Sequence, residues 1–153
     1  MVSTRAARAD DEAFVLALTD RLAAFPLPGW RAATDIARAD HDILRAAFRQ
    51  PSPDTLLLVA EDGGGSRVGF VFATSRQDYF TGASQAHVET LALEERAEGQ
   101  GVARVLMTAV EAWARQRECA AVTLNVFEAN ARARGLYAHL GYQPETLHYI
   151  KPL

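Results

Sequence analysis

Cysteine is almost absent from this chain: Cys119 stands alone, which excludes an internal disulfide and any cysteine-based metal site. It lies between a helical pattern and an apolar strand run, and reads as a small buried residue. The four histidines, His41, His87, His139 and His148, show no close ligand spacing, so no metal site is expected. No segment approaches the roughly eighteen apolar residues needed to cross a bilayer, and the polar stretch Met1–Asp10 has no apolar signal core. A cytosolic (cytoplasmic) protein with no membrane partner is the expectation. Net charge is scarce as well. Sixteen Lys and Arg against 19 Asp and Glu leave −3 and a pI near 5.8, which argues against nucleic acid and only mildly favours cationic substrates such as amines. A P-loop is missing, because no Gly-Lys-Ser/Thr follows any glycine spacer.

What is present describes one domain spanning 1–153, with 49% apolar residues and charges of both signs interspersed. Val2–Ala7 is a short strand candidate. Asp10 or Asp11 caps a helix carrying Phe14, Leu18 and Leu22 at four-residue spacing. Pro26, Pro28 and Gly29 break that pattern, and a second helix is expected from about Thr34 or Asp40 to Phe48. Thr55–Ala60 and Val68–Thr74 read as strands joined by the glycine-rich Glu61–Arg67 hairpin turn. After the Asp78–Gly82 loop comes a strand from Ala86 to Leu93. Val102, Val105, Leu106, Ala109, Val110 and Trp113 mark a helix that packs one face on the sheet and ends near Glu118. Ala121–Val126 is a further strand, Asn130–Leu140 a helix closed by Gly141, and Tyr142–Lys151 a last strand region interrupted at Pro144.

The most informative stretch is Glu98-Gly99-Gln100-Gly101-Val102-Ala103-Arg104, between a strand and a long helix. Small residues let the backbone approach a ligand, and the first helical turn leaves amide N–H groups without intrahelical partners. With the helix dipole behind them, those donors suit an anion such as a phosphate. A dinucleotide-binding turn would need Gly or Ala where Arg104 stands and would open the first βαβ unit, which this turn does not. The strand–helix–strand unit around it requires a parallel strand pair. The hairpins elsewhere are antiparallel, so a mixed sheet with helices on both faces is expected.

About thirty residues on, Asn130-x-x-Ala133-x-x-Leu136-Tyr137-x-x-x-Gly141-Tyr142 forms a second element. Together the two stretches resemble the GCN5-related N-acetyltransferases (the GNAT superfamily), whose patterns are [Q/R]-x-x-G-x-[G/A] and N-x-x-A-x-x-[L/F]-Y-x-x-x-G-[F/Y]. The second matches at every defined position. The first departs at Glu98, where the pattern has Gln or Arg. Either Glu98 turns outward and backbone amides hold the anion, with Arg104 assisting, or Arg96 or Arg104 supplies the missing charge.

The resemblance implies an α/β (α+β) fold with a mixed, mostly antiparallel sheet of about six to seven strands and about four helices. It also implies transfer of an acetyl group from acetyl-CoA (coenzyme A thioester) directly to a primary amine of a small molecule, an amino acid derivative or a peptide. A noncatalytic acyl-CoA-binding or regulatory protein of the same fold is the alternative. In that reading Glu98 to Arg104 hold the pyrophosphate. Leu91, Ala92 and Leu93 lie along the pantetheine arm, with a backbone N–H near Leu91 available to a developing oxyanion. Asn130, Ala133, Arg134 and Tyr137 line the cofactor from the last helix, where Asn130, Arg134 and Tyr137 share a face. Tyr137 is the expected general acid. Glu89, a carboxylate in an apolar strand, is either the base, a substrate ligand or an ion-paired residue, and His87 is a weaker substitute. Trp30, Tyr79 and Phe80 are the acceptor-site candidates, with packing as the alternative for Trp30. A homodimer is compatible with the sequence.

Overall fold

The computed structural model describes residues 1–153. In chain order its elements are β1 (Ser3–Ala6), α1 (Glu12–Thr19), α2 (Ala33–Arg49), β2 (Thr55–Glu61), β3 (Arg67–Gln77), β4 (Ser84–Leu93), α3 (Val102–Gln116), β5 (Ala121–Leu124) and α4 (Ala131–His139). The five strands form one sheet in the order β1-β2-β3-β4-β5. Neighbours are antiparallel except β4 and β5, which run parallel, as the strand–helix–strand crossover through α3 requires.

Helices cover both faces of the sheet. On one, Val102, Leu106, Met107 and Val110 of α3 bury against Ala60, Val71, Ala73 and Val88. On the other, Val15 and Leu18 of α1 and Leu44 of α2 close over Val59, Phe70, Phe72 and Ala92. Leu44 is fully buried, so truncation to Ala would cost about 2–5 kcal/mol. The corner between β1 and α1 is fixed by Asp11, which is inaccessible to solvent. Arg5 Nη1 and Arg67 Nε each donate to it at 2.7 Å, as does the Arg8 backbone N–H. The Arg5 hydrogen bond, opposed by burial, lowers the Asp11 pKa to about 2.

The six to seven strands expected reduce to five. The region Tyr142–Lys151 adds none: beyond the Tyr142 N–H, which closes α4, no backbone bond joins it to the sheet. Pro144 and Pro152 carry no N–H for a ladder, and Leu147, Tyr149 and Ile150 are exposed. β5 also stops at Leu124, short of the expected Val126. Its last pair, Val88 with Leu124, directly precedes a bulge at Glu89, where β3 pairs Ala73 with Val88 and then Phe72 with Thr90. A bulge bends its strand, and β4 leaves β5 there. From Glu89 to Leu93 the β5-side edge of β4 therefore has no strand partner.

Candidate active site

Three features converge where β4 and β5 part. The first is the turn into α3. A short 3₁₀ turn, Glu95–Ala97, precedes it, and Gly99 and Gly101 hold φ of +73° and +80°. Side chains rarely adopt that backbone, yet a Cβ built at either glycine meets nothing within 4 Å. The glycines are thus required by conformation, not by crowding, and the space above them is open. No side chain caps α3, so its leading amides keep their donors free. Val102 and Ala103 are buried in the core at 1% and 6% exposure, which leaves only their backbone to contact a ligand. An anionic pyrophosphate fits this uncapped, open entry.

The charges around the turn bear on both readings offered by the sequence: Glu98 is paired, Arg96 is occupied and Arg104 is free. Arg96 is occupied by Asp62 at 3.0 Å and Glu94 at 2.6 Å. Arg104 is exposed and makes no ion pair. Glu98 does not turn outward to solvent. Its Oε1 accepts from Arg21 Nη2 at 2.6 Å, and its Oε2 pairs with Arg132 Nη2 of α4. Desolvation pushes the Glu98 carboxyl up, but the hydrogen bonds from Arg132 and Arg21 prevail and hold it below its ordinary value. Arg21 belongs to a 3₁₀ turn, Asp20–Ala23, that extends α1. Gln100 donates to the Arg96 carbonyl at 2.6 Å.

The second feature is α4, whose motif residues are capping groups. Asn130 is the N-cap, its Oδ1 accepting the Ala133 N–H at 3.1 Å. At the other end the Gly141 N–H bonds to the Ala138 carbonyl at 3.1 Å and the Tyr142 N–H to the Tyr137 carbonyl at 2.9 Å, with Gly141 at φ +92°. This is a Schellman closure, and its usual apolar contact is the Tyr137–Tyr142 ring pair at 6.0 Å. Tyr137 is therefore pinned by the helix terminus. Burial raises its pKa to about 12, so the phenol holds its proton throughout the physiological range. Tyr142 donates to Glu111 at 3.1 Å. Asn130 has its oxygen engaged and keeps only its Nδ2 for a ligand, while Arg134 is drawn to the Glu128 carbonyl at 3.1 Å. Arg132, which the sequence reading passed over, is the α4 arginine at the turn.

The third feature is the acidic patch on the α2 face of β4. Glu89 Oε1 accepts from Thr74 Oγ1 at 2.8 Å and Arg76 Nη2 at 2.6 Å. Plain alternation would put Leu91 on the same side as Glu89, but the bulge inverts it, and Leu91 and Leu93 pack toward α3 while Ala92 packs toward α1. His87 donates or accepts with Thr123 at 2.8 Å, and burial followed by the nearby Arg76 charge lowers its pKa. Asp40 on α2, which the sequence offers only as a possible helix start, has its carboxyl pushed up by burial, with the Glu89 charge adding to that. Trp30 is half exposed and lines a cavity of about 180 Å³ with Ile36 and Ala39, one residue before Asp40. Tyr79 and Phe80 are edge-to-face at 5.4 Å on the β3–β4 hairpin tip and stand 93% and 80% exposed. The tip lies roughly 17 Å along β4 from Glu89 at the usual strand rise, so the structure does not bring these two aromatics to Glu89.

An α/β sheet parted beside a glycine turn, with a proton-bearing tyrosine opposite, describes an acyl-transfer class of protein. Residues 15–142 match the Acetyltransferase (GNAT) family, and the chain belongs to it. It is 32% identical over 103 residues, 64% of its own length and 70% of the relative's, to an aminoglycoside N(6')-acetyltransferase type 1 of Serratia marcescens. Its fold is shared by an aminoglycoside antibiotic 6'-N-acetyltransferase of Acinetobacter baumannii, with TM-score 0.75 and 20% identity over 100% and 99% of the two chains. It is shared too by AAC(6')-Iy in complex with a CoA bisubstrate analog, with TM-score 0.70 and 20% identity over 100% and 99%. No helix is long and apolar enough to cross a membrane.

Proposed function

We propose that residues 1–153 form a single N-acetyltransferase domain that passes the acetyl group of acetyl-CoA directly to a primary amine of a small, cationic acceptor. The observation that carries this reading is the uncapped, open glycine turn standing beside a β4 edge with no strand partner and a partly buried, protonated Tyr137. Acetyl-CoA supplies an acyl group already activated for attack by an amine. The turn from Gly99 to Arg104 holds its anionic end through backbone N–H groups, and the free edge from Glu89 to Leu93 receives its amides as an added strand would. A β4 N–H near Leu91 faces the carbonyl oxygen as negative charge grows there.

Tyr137 Oη gives its proton to the departing thiolate. On the acceptor side, both hydrogen bonds to Glu89 fall on Oε1, which leaves Oε2 to take the amine proton directly or through water. Arg76 offsets one of the two carboxylates Asp40 and Glu89, which leaves that side with a net negative charge suited to a protonated amine arriving from solvent. The Serratia relative makes aminoglycosides the first acceptors to try. The test is thermal unfolding with and without acetyl-CoA, followed by mass detection of acetylated product across an amine panel. Saturation at about a hundredfold over Kd stabilises a native state by about 2.7 kcal/mol. An unmoved midpoint at millimolar acetyl-CoA would overturn the reading. Binding without transfer to any amine would favour the noncatalytic acyl-CoA-binding alternative.

A further inference from the structure

Glu98 is a carboxylate set directly before an anion-binding turn. It is also the point where three segments distant in sequence meet. Arg21 comes from the 3₁₀ turn after α1, Arg132 from the first turn of α4, and Glu98 from the loop that enters α3. Each of its oxygens takes one guanidinium: Oε1 receives Arg21 at 2.6 Å and Oε2 receives Arg132. The Arg21 and Glu98 side chains are only 32% and 27% exposed, so this is no loose surface pair. Arg21 lies in addition 3.7 Å from the exposed Glu95. A few residues on, Phe25 packs on Phe127 at 5.3 Å between ring centroids, a second contact of the α1–α2 connection with the loop leading into α4.

The arrangement has the charge pattern of an anion site whose anion is supplied by the protein. Two arginines from opposite sides of the parted strands converge on one carboxylate, beside amides that nothing caps. We propose that Glu98 is an internal counter-anion which holds Arg21 and Arg132 when no donor is bound and is displaced from them by the donor's pyrophosphate. The inference rests on the acetyl-CoA reading above. Glu98 tunes affinity and selectivity through the two arginines: a doubly charged diphosphate recruits both guanidiniums, whereas a smaller anion gains too little to displace a carboxylate already bonded to both. Donor affinity is thereby lowered, and release of the spent cofactor is eased by the carboxylate that returns to its place.

Calorimetric titration of the whole protein tests this with three probes: acetyl-CoA, S-acetylpantetheine, which has no pyrophosphate, and inorganic pyrophosphate. Glu98→Gln keeps the side-chain shape and removes the competing charge. It should bind acetyl-CoA about tenfold more tightly and pyrophosphate measurably, with S-acetylpantetheine unchanged, since tenfold corresponds to about 1.4 kcal/mol, the scale of one charge-assisted contact. Arg132→Gln should weaken acetyl-CoA, and the Glu98→Gln gain should shrink in that background. Equal or weaker acetyl-CoA binding by a folded Glu98→Gln protein would overturn the proposal, because Glu98 would then only position the arginines. An equal gain with S-acetylpantetheine would overturn it as well. The two readings fail separately. Pyrophosphate binding gained by Glu98→Gln in a protein that ignores acetyl-CoA keeps the counter-anion and defeats the acetyltransferase, whereas acetyl-CoA bound alike by both proteins does the reverse.

Discussion

At the α3 end of β4, Arg21, Glu98 and Arg132 interlock around an open turn, and Tyr137 is pinned beneath the cap of α4. The proposed acceptor-site aromatics Trp30, Tyr79 and Phe80 are exposed, and the one ring pair among them is Tyr79–Phe80. The first region is held by backbone conformation and charge, which fix geometry before any ligand arrives. The second is held by little beyond its own loops. In the proposed reading, a constrained turn on one side and exposed side chains on the other suit an enzyme with one donor and a choice of acceptors.

The sharpest way to break that comparison is Tyr137→Phe. Removing the proton donor from a pinned ring should lower kcat by about a hundredfold or more, with acetyl-CoA affinity nearly unchanged. The wild-type alkaline limb gives an independent check. Because burial holds the phenol up to about 12, proton donation should persist until the pH approaches that value. Wild-type turnover in the Phe variant would place the acid elsewhere. Glu89→Gln comes next. If Glu89 is the base, kcat/KM should fall by about thirtyfold and the acidic limb of its pH profile should flatten, within the range expected for general bases. An unaltered limb would assign Glu89 to its Arg76 and Thr74 contacts alone.

Two glycines allow a matched test. Gly101 and Gly82 have φ of +80° and +72°, and neither would meet anything with an added Cβ. Valine at either therefore carries the same strain, on the order of 1–3 kcal/mol. Gly101→Val should weaken acetyl-CoA by about tenfold by turning the amides of the α3 entry, while Gly82→Val should leave donor affinity alone. Equal effects at the two sites would show that general destabilisation, not the turn, is being measured.

Much of the geometry of the α3 turn and of α4 was legible because the family pattern is largely backbone chemistry. Asn130, Ala133, Gly141 and Tyr142 are an N-cap, its N3 partner and a Schellman closure, all local in sequence, and Gly99 and Gly101 mark a left-handed turn. What escaped depends on chain folding back from afar. Arg21 meets Glu98 across 77 positions, and no spacing announces it. Asp40 was only a possible helix start in the sequence, and a helix from Ala33 brings it near Glu89. The bulge at Glu89 changes which face Leu91 presents, and alternation alone cannot foresee a bulge. The tail from Tyr142 to Lys151 read as a strand region interrupted at Pro144, and that interruption is the reason no ladder forms, since Pro144 offers no N–H.

The smallest expected effects lie on the acceptor side and decide which aromatics belong to it. Trp30 shares its cavity with Ile36 and Ala39 beside Asp40, whereas Tyr79 and Phe80 ride a hairpin tip far along β4 from Glu89. Trp30→Ala should raise the acceptor KM by about fivefold with kcat and donor affinity intact, as expected for loss of uniform binding. The double replacement Tyr79→Ala, Phe80→Ala should change the KM of a small amine by less than about twofold, and should shift stability by no more than about 0.5 kcal/mol because both rings are solvent-exposed. Steady-state kinetics with one small and one extended amine separates the cases. If the double variant loses only the extended amine, the hairpin tip is an outer contact for long acceptors. If it loses both, the tip reaches Glu89 in solution, and the acceptor side is less open than its unliganded shape indicates.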